Sequence, residues 1–138
     1  IAGRTIETNI GRDPKRRTAM AVVERGKPAL THFRVLEKFM GYTLVEVHLE
    51  TGRTHQIRVH MAYIKHPLIG DKVYGKTGYK TSCDTLKHTL TQLTHQALHA
   101  TELCFIHPKT KEEVSFSAPY PIDFNATLNA LKRWACPI

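Results

Sequence analysis

Apolar and polar positions alternate most cleanly over residues 43–50, TLVEVHLE, where Val45, Val47 and Leu49 point one way and Glu46, His48 and Glu50 the other. A period of two predicts a strand with one wet face. Residues 30–39 repeat the pattern, Phe33 and Val35 alternating with His32 and Arg34, and Gly41 falls in the break between the runs. Two such runs across a short glycine-containing break predict an antiparallel hairpin. The period then changes. Ile57, Met61 and Ile64 recur at i, i+4 and i+7. That spacing predicts a helix over 55–65 with this stripe against the core, Thr54 as its N-cap and Pro67 past its end. Residues 76–94 are polar, rich in Lys and Thr, and predict a loop with room for a short helix. Further strands are expected near 97–106 and 112–117, with Val114 and Phe116 on one face. A closing helix over 122–134 carries Phe124, Leu128 and Leu131 on one side. Phe33, Val35, Phe105 and Phe116 read as core, and Trp134 as a core anchor. There is no internal repeat and no linker, so one domain over 1–138 suffices. Its class is α+β, a mostly antiparallel sheet with flanking helices.

Composition adds a partner to this picture. Of 138 residues, 41% are apolar and 23% charged, the balance of a globular chain with a real core. Lys and Arg number 20 against 12 Asp and Glu, a net charge of +8. The excess is spread along the chain, and such a balance suits a nucleic-acid partner. Its densest point is the loop 11–18, GRDPKRRT, where Arg12, Lys15, Arg16 and Arg17 surround the helix- and strand-breaking Pro14. These four are candidate phosphate contacts. No apolar run approaches the ~18 residues of a membrane span, so no membrane partner is expected. The N-terminus has neither a signal-like apolar region nor a starting Met, so a piece of a longer chain is expected. Cys83, Cys104 and Cys136 form no C-x-x-C pair, which argues against a disulfide framework or zinc ribbon and for a reducing, cytoplasmic setting. A monomer is expected.

The chemistry concentrates in residues 50–75, ETGRTHQIRVHMAYIKHPLIGDKVYG. A helix N-terminus carries about half a positive charge, so a cation there costs about 0.3–1 kcal/mol. Here Arg53 precedes the expected helix, His55 sits in its first turn and Arg58 just after. A chain that accepts this is preparing a site for an anion, either an RNA phosphate or a carboxylate from elsewhere in the fold. Gly52 is expected to let the backbone turn sharply and approach a ligand. Metal binding is not expected. His55 and His60 are five apart, about 140° around a helix, and His95 and His99 lie on the approach to a strand, where four residues span about 13 Å.

The string GRTHQIRVH followed by HPLIGDKVYG resembles the C-terminal signature of the RluA-type family of pseudouridine synthases. IGRDPKRRTAMAV, GKPALTHFRVLE, LETGRTHQIRVHM, QALHATELCFIHP and SAPYPID continue the likeness over nearly the whole chain. The ribosomal large-subunit branch of the family is the most similar. The resemblance implies an isomerase that detaches the base of a uridine in RNA, rotates it and rejoins it through carbon, without cofactor or metal. It implies a nucleophilic Asp, an Arg paired with it and a Tyr near the base. The family Arg matches Arg58; Arg53 and His55 are then expected to face RNA. The H-R-L-D-x-x-T-S/T-G block with the nucleophile, the K-x-Y block with the Tyr, and the S4-like domain have no counterpart here. None of Asp13, Asp71, Asp84 and Asp123 stands in the nucleophile's context, and Asp71 reads as structural. The chain thus resembles the C-terminal part of a catalytic domain, a partial pseudouridine synthase fold. Such a piece is expected to be inactive alone. Its expected partner is ribosomal RNA, with tRNA still open. The competing reading is a non-catalytic RNA-binding module. An HRLD-type block upstream in the reading frame separates the two.

Overall fold

A computed structural model describes residues 3–75, 79, 81 and 83–134. Four strands, β1 (Gly3–Arg12), β2 (Met20–Val22), β3 (Lys27–Phe39) and β4 (Tyr42–Leu49), form an antiparallel sheet in the order β2-β1-β3-β4. Helix α1 (Gln56–Tyr63) follows, then α2 (Asp84–Thr91), a separate antiparallel hairpin of β5 (Glu102–Ile106) and β6 (Glu113–Ser117), and α3 (Ile122–Trp134). The α+β class and antiparallel sheet agree with the sequence pattern. β1 and β2 are additions to it.

One register shift gives the sheet two cores. Val35 pairs with Val45 but Glu37 with Leu44, so Leu36 is the extra residue of a bulge. Before the bulge, Ile6, Thr8 and Ile10 of β1 share a face with Ala29 and Thr31 of β3, and α1 lies on that face. Ile10, Ala29 and Val59 are its buried apolar contact, with Met20, Val22 and Tyr74 around them. Beyond the bulge, alternation puts Leu44 and Tyr42 on the other face, and Phe39, paired with Tyr42, goes with them. There Phe39 packs with Leu86 and Leu90 of α2 and Leu128 and Leu131 of α3. Residues 84–91 are therefore a core helix inside the expected polar loop, its two leucines one turn apart and buried. The wet end of the hairpin is polar as expected, with Arg34 and His48 on Glu46 at 2.8 and 3.0 Å and His32 on Glu50 at 3.2 Å.

Several expectations are corrected. The strand near 97–106 is confined to Glu102–Ile106, and residues 95–101 are irregular, held in part by Ala97 N–H on the Ile69 carbonyl at 2.7 Å. Phe116 and Trp134 are 57% and 42% exposed, so neither is core; the Arg133 guanidinium lies over the Trp134 ring at 5.1 Å. Phe33 and Val35 are half-buried. The side chain of Phe105, and Cys136, lie outside the described residues. On α1 the expected stripe is rotated: Gln56, Val59, His60 and Met61 are buried, while Ile57 and Ile64 are only half-buried. The reason is polar. The sheet face under α1 presents the Thr8 and Thr31 hydroxyls, and the helix turns Gln56 and His60 toward them.

Candidate RNA-modification site

The site grows from a buried polar chain whose direction is set by the backbone. Gln56 donates from Nε2 to the Leu30 carbonyl at 3.0 Å and accepts at Oε1 from the Arg53 N–H at 3.0 Å. These two backbone groups have fixed polarity, so the amide has one orientation. Its Nε2 then donates to Thr31 Oγ1 at 2.9 Å. The Thr31 hydroxyl lies 2.7 Å from His60 Nδ1. His60 Nε2 lies 2.8 Å from Thr8 Oγ1, so each ring nitrogen meets a threonine hydroxyl. The ring is 0% exposed, and burial pushes its pKa below the ordinary value. Thr51 completes the chain, accepting from the Leu30 N–H and donating to Gln56 Oε1. Among the described residues no buried side-chain polar atom lacks a partner. The network ties α1 and the preceding loop to β1 and β3, which fixes where Arg53 and Arg58 stand.

The start of α1 differs from the expected cap. Thr54 is not the N-cap; His55 is, in the left-handed region at φ 55°, and it makes no side-chain cap bond. Its Nδ1 instead lies 2.7 Å from the Tyr74 hydroxyl, with the rings edge to face. Tyr74 also accepts from the Met20 N–H at 2.8 Å, so one hydroxyl joins α1, β2 and the turn at 71–75. A non-glycine residue at positive φ is held there by its surroundings, and Tyr74 is what holds this one. Gly52 does not turn at positive φ, and a Cβ there would meet nothing within 4 Å. Gly52→Ala is expected to leave the urea midpoint equivalent to within about 0.5 kcal/mol of the parent. A larger drop would show a constraint the geometry lacks.

Arg58 is engaged by a carboxylate of the same chain. Its Nε donates to Asp71 Oδ2 at 3.0 Å and its Nη2 to Oδ1 at 2.9 Å, and its Cζ lies 5.0 Å from the centre of the Tyr74 ring. The Asp71 side chain is 0% and the Arg58 side chain 13% exposed. Asp71 Oδ1 also accepts the N–H groups of Val73 and Tyr74, each at 3.1 Å. Burial alone would push the Asp71 carboxyl up. The bond from Arg58, the two amides and the Arg58 charge together outweigh it and hold the pKa below 3.8. The Arg58 pKa is raised, chiefly by the hydrogen bond to Asp71. A guanidinium has five N–H donors. Asp71 takes two through one edge, which leaves the Nη1–Nη2 edge for a second anion.

The other candidate RNA contacts divide. Arg12 donates from Nη1 to the Arg17 carbonyl at 3.0 Å. Arg53 donates from Nε to the Pro28 carbonyl at 2.9 Å. Arg16 is a tether: it reaches the Val73 carbonyl at 3.0 Å and Asp13 at 3.7 Å, tying the 13–19 turn to the 71–75 turn. Lys15 and Arg17 are exposed, with no side-chain partner among the described residues. His55 is half-buried against Tyr74. Sequence reasoning gave Tyr74 no part in the site, although it lies in the GDKVYG block. No group of three or more His, Cys, Asp or Glu side chains placed to hold a metal occurs among the described residues, and no described helix is long and apolar enough to cross a membrane.

By sequence the chain is similar to the pseudouridine synthases: the family profile for RNA pseudouridylate synthase matches residues 2–63. The chain is 52% identical over 129 residues, 92% of its length, to ribosomal large subunit pseudouridine synthase D of Neisseria meningitidis. It is 48% identical over 132 residues, 94% of its length, to the synthase of the same name from Pasteurella multocida. It spans only 34% and 41% of those two relatives. The solved structure of human RNA Pseudouridylate Synthase Domain Containing 1 superposes with a TM-score of 0.72 at 29% identity, over 100% of this chain and 54% of that one.

Proposed function

We propose that this chain is part of an isomerase that converts uridine to pseudouridine in large-subunit ribosomal RNA, working as a monomer in the cytoplasm. The observation that carries the reading is identity near one half over more than nine-tenths of the chain to synthases named for that RNA. The geometry supports it. In the isomerisation the bond from the sugar to base nitrogen breaks and a bond to base carbon forms, with a proton leaving that carbon and no net redox change. Such a reaction needs a nucleophile, an ionised state for it and a firm grip on RNA. Arg58 supplies the second need. Asp71 and Tyr74 hold its guanidinium, and the free Nη1–Nη2 edge is the place for a nucleophilic carboxylate contributed by polypeptide outside this chain. Of the chain's own aspartates, Asp71 is spent on Arg58, Asp13 on the 13–19 turn and Asp123 on His95. Exposed Leu103, Ile106 and Ile122 fit a surface that packs against more of the same enzyme.

The test is to map pseudouridine by carbodiimide modification and primer extension in ribosomal and transfer RNA after reaction. Two proteins are compared, the product of the complete reading frame and the 138-residue chain. New pseudouridine in large-subunit RNA with the first and none with the second is expected. Modification of transfer RNA only would overturn the substrate, and none in either RNA would leave the RNA-binding module as the reading.

A further inference from the structure

An open cleft of about 400 Å³ lies between the end of β1, the turn from β2 to β3, and the loop before α1; Ile10, Met20 and three glycine backbones line it. Four cations converge on it from separate parts of the chain: Arg12, Arg25, Lys27 and Arg53. No acidic or aromatic residue lines it, and among the described residues none of the four is in an ion pair. Like charges gathered around one space repel unless an anion sits among them. We propose that this cleft binds the sugar-phosphate backbone of single-stranded RNA, one or two nucleotides long, beside the uridine that is modified. The inference rests on the proposed function and adds to it Arg25, Lys27 and the kind of contact made.

Three features select this ligand. The volume is in the range of small-ligand sites, enough for a short stretch of one strand. The absence of an aromatic wall removes the platform on which a base would stack, so the contact is to phosphate and reads no sequence. The walls are also set in advance. Gly26 lies so close to β1 that a Cβ would come within 2.4 Å of the Ile10 carbonyl carbon, and a Gly11 Cβ would come within 2.8 Å of Val23. Arg12 and Arg53 are each anchored through one nitrogen to a backbone carbonyl, which leaves their other N–H groups for the ligand. Arg25 and Lys27 are exposed and bond to nothing described, so they can be replaced without breaking a contact of the fold.

The experiment measures binding of the 138-residue chain to labelled oligouridylate and oligoadenylate by fluorescence anisotropy between 50 and 200 mM salt, as assay conditions. Amide dispersion in NMR spectra checks that each variant is folded. Arg25→Ala/Lys27→Ala should flatten the log–log salt slope by about 1.4, at about 0.7 per lost single-strand contact. It should weaken both oligonucleotides by the same factor, about tenfold or more at the lower salt. Amide shifts on adding oligouridylate should centre on Gly11, Gly26, Gly52 and Arg53. An unchanged slope, shifts elsewhere, a loss for one base only, or no binding by the parent chain would each overturn the cleft. The proposed function fails separately: pseudouridine mapping can be positive while the slope is unchanged, or negative while the cleft binds RNA.

Discussion

Arg58→Ala is expected to lower the stability of the chain by about 3 kcal/mol, because it strands a fully buried carboxylate. Removing one member of a buried pair costs about 3–5 kcal/mol. The lower end applies, since Asp71 keeps the two amide bonds from Val73 and Tyr74. With a urea m-value of about 1–3 kcal/mol per molar, the midpoint should fall by about 1–3 M at unchanged m. Asp71→Ala should cost a similar amount, and the double variant clearly less than the two losses together. The pair also sets an acid limit. The folded pKa of Asp71 lies below its ordinary 3.8, so its contribution is complete above that value and is lost as pH falls through the folded pKa. A shift of the urea midpoint worth under 0.5 kcal/mol in either single variant would show that the contact is not the hold it looks to be.

His60→Ala is expected to cost about 3–5 kcal/mol, as for a large ring removed from a packed site, with the Thr8 hydroxyl left without its partner. The ring also gives stability a second, milder dependence on pH. Its folded pKa is lowered from 6.5 by burial, so the unfolded chain binds the proton more readily. This contribution is complete above about pH 6.5 and declines as pH falls from there toward the folded pKa. The decline should approach 1.4 kcal/mol per pH unit for one proton within that window. By NMR the His60 ring resonance should titrate below the ordinary 6.5, and His60→Gln should remove this component of the pH dependence. A ring titrating at or above 6.5 would contradict the buried neutral state.

What the sequence revealed and hid follows from which interactions carry each element. The β3–β4 hairpin was legible because Val45 and Val47 alternate with Glu46 and His48. The first strand was not, since in GRTIETNIGR only Ile6 and Ile10 are apolar and inward, with Thr8 between them serving His60. α1 was located correctly but rotated, because a hydrophobic reading cannot see that Gln56 and His60 are its buried anchors. Leu86 and Leu90 were hidden in a polar segment because a short helix shows only one turn of its pattern. In the site, the spacing of RTHQIR pointed to an anion at Arg58 and left two kinds of partner open. Asp71, thirteen residues on, is the one within the chain. The basic cleft was half visible: Arg12 and Arg53 stood out in their motifs, whereas Arg25 and Lys27 join them only through the β2–β3 turn.

The most direct test is the single-turnover rate of tritium release from C5-labelled uridine in large-subunit RNA, measured with the product of the complete reading frame at saturating RNA alongside its affinity for that RNA. If Arg58 holds the nucleophile on its free edge, Arg58→Ala should slow release by about 10²–10³-fold, the loss expected for about 3–4 kcal/mol. Affinity should stay within a few-fold, because phosphate contacts lie elsewhere, and retained binding also shows that the variant is folded. Arg58→Lys should recover part of the rate, keeping the charge without the two-edged geometry. Arg53→Ala should do the reverse, weakening affinity more than rate. A near-normal rate in Arg58→Ala would contradict the account and shift the search for the nucleophile's partner to Arg53.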